Sequence, residues 1–149
     1  RDVTISLQPS RWTEATLDRF TVAQPATFAY QQVGSWEWFG AGPATCLALR
    51  TQPASQDTVG VFTALAQDAG LYVEMFEVGE PYPFPLAGAV WLRVDFRYDK
   101  PEAGTIRGFV MARVAEGQQI IAWAEAPSDR YDQLENSVFL TMIADLALR

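Results

Sequence analysis

Read as an extended strand, residues 89–98 put Trp91, Arg93, Asp95 and Arg97 on one side and Val90, Leu92, Val94, Phe96 and Tyr98 on the other. Successive strand side chains alternate between faces, so the two sets separate cleanly. After a loop at 99–104, residues 105–115 offer Thr105, Arg107, Phe109, Met111 and Arg113 to the first side, with Ile106, Val110, Ala112 and Val114 read as inward. Guanidinium groups mixed with large apolar side chains are the composition of an interface core. Arg and Trp are also the residue types that carry most binding energy at protein–protein contacts. The chemistry on offer is therefore recognition, with Trp91, Arg93, Asp95, Arg97, Arg107 and Phe109 as candidate partner-binding residues. A structural reading stands beside it: a terminal helix covers part of this face, and Arg93, Asp95 and Arg97 form cross-strand ion pairs. Trp36, Trp38 and Phe39 sit in a glycine-bracketed stretch, 34–43, read as a turn. Trp36 and Trp38 are either a binding tip or fold back over the edge of the core. The stretch 82–85, Tyr-Pro-Phe-Pro, poses the same choice as a stiff loop.

Catalytic chemistry finds little support. The chain has no histidine, so neither a Ser-His-Asp relay nor a His-ligated metal site can be built. Its single cysteine, Cys46, forbids an internal disulfide and reads as a small buried hydrophobe within an apolar run. No phosphate-cradling glycine loop, nucleophile elbow or SxxK motif occurs. Carboxylates gather at Glu74, Glu77 and Glu80 and at Asp99 and Glu102. Neither spacing is that of a calcium loop, and solvated charge is the plainer reading. A divalent-metal or small-ligand module, or a hydrolase with a facing carboxylate pair, remains as the alternative. The net charge of −7 opposes binding to nucleic acid or to anionic lipid.

The elements that position these residues are mostly strands. Residues 19–22 and 26–33 alternate in polarity and are expected to pair through a turn at Gln24-Pro25. Residues 44–50 form the next strand. Residues 58–69 place apolar side chains on one helical face, with Ser55 or Asp57 as cap before them and Gly70 ending the helix. Residues 71–78 alternate again. The prolines at 81, 83 and 85 read as a loop, since a paired strand interior excludes them. The strands at 89–98, 105–115 and 118–126 form a meander, the last pair joined by the tight turn Glu116-Gly117. A helix opening near Pro127-Ser128-Asp129 keeps Tyr131, Leu134, Val138, Met142, Ile143 and Leu146 at helical spacing and must lie across the sheet. The fold class is α+β, an antiparallel sheet of six to seven strands with helices packed on it. Residues 1–18 read as a lead-in or linker to a single domain at 19–149.

The entry segment Phe20-Thr21-Val22-Ala23-Gln24-Pro25, a mid-chain helix and a long meander with Gly104 to Gly108 at its centre form a pattern. It closes with Gln119 to Pro127 running into a helix that carries Tyr131 and Phe139. This pattern resembles the PsbP/Mog1-like α/β/α sandwich superfamily over residues 18–147. The resemblance implies a non-catalytic scaffold that binds a protein partner and needs no cofactor. It also implies an extracytoplasmic setting, tethered through segments such as residues 1–18, with no membrane insertion by the domain itself. It transfers no functional residue.

Overall fold

The structure is a computed structural model that describes residues 11–54 and 74–149, with the side chains of 74–76 excluded. The helix expected at 58–69, with its caps, and the start of the strand expected at 71–78 lie outside these residues.

Among the described residues, eleven strands form two antiparallel sheets, and one helical segment lies between the tenth strand and the eleventh. The smaller sheet has the order β1 (Trp12–Thr16), β2 (Phe20–Pro25), β11 (Ala147–Leu148). The larger runs β3 (Ala29–Val33), β4 (Trp36–Gly40), β5 (Cys46–Pro53), β10 (Gln118–Pro127), β9 (Gly104–Ala115), β8 (Ala89–Lys100), β6 (Glu74–Val78). A last strand, β7 (Tyr82–Leu86), pairs with the other end of β8. The mostly-sheet α+β class was legible, but the strand number was underestimated.

Three local readings are corrected. β2 runs through Gln24-Pro25 and pairs with β1 and β11, whereas β3 pairs with β4. Trp36, Trp38 and Phe39 belong to strand β4, not to a turn; the turn is Gly34-Ser35, where Gly34 takes φ 60°. Residues 82–86 form a paired strand despite Pro83 and Pro85. The two-residue turn Ala87-Gly88 makes Leu86 and Ala89 a hydrogen-bonded pair. By alternation Pro83 and Pro85 direct their ring nitrogens to the open edge, where no donor is needed. The turn at Glu116-Gly117 is as expected, both residues at positive φ (53° and 75°).

The C-terminal helix runs without a break through Ser128–Leu134, a π-helical turn at Glu135–Phe139, and Leu140–Asp145. Its Tyr131, Leu134, Val138, Phe139 and Met142 are buried in one cluster with Phe109, Met111 and Ile120 of the large sheet and Phe20 and Val22 of the small one. One face of the large sheet is thus covered by the helix and the small sheet together. The carboxylate of Asp145 accepts the backbone N–H of Ala23 at 2.8 Å, tying the helix end to β2. A second cluster on the opposite face joins Val94, Phe96, Tyr98, Ile106, Val110 and Ile121. Gly108 belongs to that face: an added Cβ would overlap the Phe96 ring and the Ala124 carbonyl, so only glycine lets the ring lie flat on β9.

Candidate partner-binding face

β8 and β9 pair in the register Arg93 with Met111, Asp95 with Phe109 and Arg97 with Arg107. The alternation read from the sequence holds, and the side read as inward is buried at Val94, Phe96, Tyr98, Ile106, Val110 and Ala112; the other side, however, is not open to solvent along its whole length. The side expected to face outward lies under the helix along much of its length: Trp91 is 2 % exposed and Phe109 is fully buried. On the side read as inward, Val90 and Val114 are 65 % and 57 % exposed. They border an open cleft of about 430 Å³ with Pro83, Leu92 and Ala112. The cause is the terminal helix, whose apolar stripe has to be buried somewhere and takes the Phe109 face.

Arg93 is the centre of the covered region. Its guanidinium lies 4.7 Å from the Phe84 ring centroid and 4.5 Å from that of Phe109. It donates to Asp95 at 2.8 Å and to Glu135 of the helix. Burial works against its charge, yet the two carboxylates outweigh burial and raise its pKa above the ordinary value. The hydroxyl of Tyr131 donates to the same Glu135 oxygen at 2.5 Å, and that of Tyr82 donates to Asp95 at 2.7 Å. Both phenols are held above their usual pKa, first by burial and then by these carboxylates, Tyr82 up to about 12. The network is internally satisfied, so Arg93, Asp95 and Glu135 clamp the helix to the sheet. Glu135, Tyr131 and Tyr82 escaped the sequence-based selection of site residues. Glu135 carried a signal, an acid four residues after Tyr131 on the core-facing stripe, where a carboxylate needs a buried partner.

Further along the hairpin the same face opens to solvent. The side chains of Arg97 and Arg107 are 58 % and 41 % exposed and stand directly opposite each other. Each has an acidic neighbour: Glu77 lies 3.5 Å from Arg97, and Asp132 lies 3.1 Å from Arg107. Arg107 also stacks on Tyr131 at 4.6 Å. Like charges directly opposite on neighbouring strands are destabilising, and exposed ion pairs recover little of that cost.

Trp36 and Trp38 are half-buried and do not join this group. The register of Trp38 with Ala48 of β5, and of Ala48 with Trp123 of β10, puts Trp38, and Trp36 two residues before it, on the opposite face of the sheet. Trp36 packs against the second cluster, with the Arg50 guanidinium 4.6 Å above its ring. On that face Glu125, 8 % exposed, accepts hydrogen bonds from Tyr98 and, at 2.7 Å, from Trp123. Burial, followed by the charge of Glu125, pushes the Cys46 thiol up and keeps it protonated at neutral pH. Among the described residues, no group of three or more Asp, Glu or Cys is placed to hold a metal ion. No helix among them is long and apolar enough to cross a membrane.

Compared by sequence, the chain matches no family model and no curated protein. Compared by structure, it resembles cyanobacterial PsbP (CyanoP) from Synechocystis sp. PCC 6803 with a TM-score of 0.67 at 13 % identity, over 93 % of this chain and 92 % of that one. It also resembles the Ran-binding protein Mog1p of Saccharomyces cerevisiae with a TM-score of 0.58 at 10 % identity, over 93 % of this chain and 95 % of that one. The chain has the PsbP/Mog1-like fold.

Proposed function

We propose that this domain is a non-catalytic, partner-binding accessory module whose contact face is the exposed end of the β8–β9 hairpin. The observation that carries the reading is the opposed pair Arg97 and Arg107, both exposed, in a chain of net charge −7. Two guanidinium groups face to face on paired strands cost stability that their exposed pairs with Glu77 and Asp132 offset only in part. Two fixed forks side by side suit a partner presenting carboxylates. Asp95, 49 % exposed, and Asp132, 79 % exposed, complete a polar rim. Trp91, Arg93 and Phe109 hold the face in shape from below. Trp36 and Trp38, on the other side of the sheet, belong to a separate surface in this reading. The likeness to a Ran-binding protein supports partner binding as a use of this fold. The extracytoplasmic, tethered setting is part of the proposal and rests on the family resemblance.

The test is affinity capture from a detergent extract of the source organism, with the chain as bait and the Arg97→Glu, Arg107→Glu double variant as control. A defined protein is expected to co-purify with the wild type and be lost with the variant. Its purified form should bind the variant at least about tenfold more weakly, as for removal of interface hot spots. Both baits should show the same native circular dichroism, with the variant's unfolding temperature lowered only slightly by loss of the Arg97–Glu77 and Arg107–Asp132 pairs and of the stacking on Tyr131. Equal retention by the two baits, or by neither, counts against this face.

A further inference from the structure

Between Arg19 and Arg50 the sequence carries a single charged residue, Glu37, in a chain with eleven basic and eighteen acidic residues. Glu37 is itself buried, 8 % exposed, and accepts a hydrogen bond from the hydroxyl of Tyr30. This charge-poor stretch contains β3, among the described residues the outermost strand at one end of the eight-stranded sheet. All five residues of β3 are exposed, Tyr30 at 42 % and Val33 at 47 %.

The other end of the sheet is blunted in the ways that stop strands from adding. β7 sets Pro83 and Pro85 on its open edge, and the pairing of β6 with β8 shifts register between Glu74 and Glu77. β3, Ala-Tyr-Gln-Gln-Val, has no proline, no charge and a continuous register with β4. The two-residue turn at Gly34-Ser35 makes Val33 and Trp36 a hydrogen-bonded pair. By alternation Gln31 and Ala29 also bond to β4, while the N–H and C=O groups of Tyr30 and Gln32 point to the open side.

We infer that β3 is a self-association edge, at which two copies of this chain pair β3 to β3, antiparallel, about a two-fold axis at Gln31. Two molecules each carrying −7 repel one another across charged surface. The β3 edge lets them meet without placing like charges together. In this register Tyr30 and Gln32 exchange backbone hydrogen bonds across the axis, Gln31 faces its own copy, and Tyr30 and Val33 lose exposed apolar surface. The contact is isologous and closes on itself. Five residues a side is far short of the roughly 20–30 of a standard interface, so the dimer is weak and concentration-dependent. The inference is independent of the arginine face and survives if that face proves inert.

Sedimentation velocity of the chain from about 10 µM to about 1 mM covers the range in which so small an interface assembles. A monomer–dimer equilibrium is expected, shifted toward dimer by added salt as the mutual repulsion is screened. Gln32→Pro, which removes an outward N–H and leaves the bonds to β4, should hold the chain monomeric with its unfolding temperature nearly unchanged. Gln31→Cys places two thiols in a non-hydrogen-bonded pair about 4.5 Å apart between Cα atoms, within disulfide range. It should cross-link under mild oxidation faster than Ala29→Cys, which lies off the axis, while the wild type does not. A monomer throughout the concentration range overturns the inference. So does cross-linking no faster at Gln31→Cys than at Ala29→Cys.

Discussion

Arg93 shows how a residue that reads as a surface hot spot becomes a structural clamp. Guanidinium is the one cationic head flat enough to lie between the Phe84 and Phe109 rings while still donating edge-on to Asp95 and Glu135. A buried ion pair adds little net stability over an apolar substitute, but breaking it strands a charge. Arg93→Ala is therefore expected to destabilise the fold by about 3–5 kcal/mol, the usual loss for an orphaned buried partner. Glu135→Gln, which keeps an oxygen acceptor for Tyr131, should lose less. Chemical denaturation of the two variants measures this directly. If Arg93→Ala unfolds at the same denaturant concentration as wild type, the clamp is not what holds the helix. The sequence placed Arg93 and Asp95 on one strand face correctly. It offered the terminal helix as a cover for part of this face but did not show that Glu135, forty-two residues away in the chain, is the partner of Arg93.

At the scale of elements, β7 and β3 illustrate opposite solutions to a sheet edge. In β7 the proline spacing that argued against a strand is what permits an edge strand: both missing donors fall on the unpaired side. Replacing Pro83 and Pro85 with alanine restores two outward N–H groups. The double variant is expected to scatter more light on concentration, as an opened edge does. Its folding stability should fall by about 0.4–1 kcal/mol per site, because the unfolded chain gains freedom. Unchanged light scattering would mean that this edge needs no protection. The C-terminal helix makes the complementary point. Its stripe of Tyr131, Leu134, Val138 and Met142 was legible from spacing, whereas the π-turn at Glu135–Phe139, which accompanies the burial of both Val138 and Phe139, was not. A single wide turn changes the register of the stripe without altering the composition that signals a helix.

For the molecule as a whole, phenols hydrogen-bonded to carboxylates, two of them buried (Tyr98 and Tyr131), set a limit on alkaline stability. Tyr30 and Tyr82 are raised to about 12, Tyr30 chiefly by its bond to Glu37 and Tyr82 chiefly by burial. Tyr98 and Tyr131 are also raised, mainly by burial. In the unfolded chain each phenol ionises near pH 10. A raised folded pKa means that the native state keeps protons the unfolded state releases, so this contribution is intact below pH 10 and declines as pH climbs toward 12 and above. Phenolate absorbance and circular dichroism, followed together through an alkaline titration, should show the buried Tyr98 and Tyr131 ionising only as the fold is lost. Ionisation near pH 10 with the native spectrum preserved would contradict that linkage.

Composition and local pattern alone determined that this chain is α+β and largely strand, that it lacks the histidine chemistry of common active sites, and that Trp91, Arg93, Asp95 and Arg97 share a face. Those properties follow from residue type and from the two-residue period of a strand, which are local. Tertiary structure alone decided which parts of each face stay in solvent, since Trp91 and Phe109 are buried on one face and Val94, Phe96 and Val110 on the other. Both faces of β8 and β9 are rich enough in apolar residues to be buried, so alternation separates them without ranking them. The ranking comes from where the C-terminal helix and the small sheet settle, and that depends on contacts between segments more than a hundred residues apart, such as Ala23 with Asp145. The same long-range packing left Arg97 and Arg107 in the open, and chain topology put β3 at an edge.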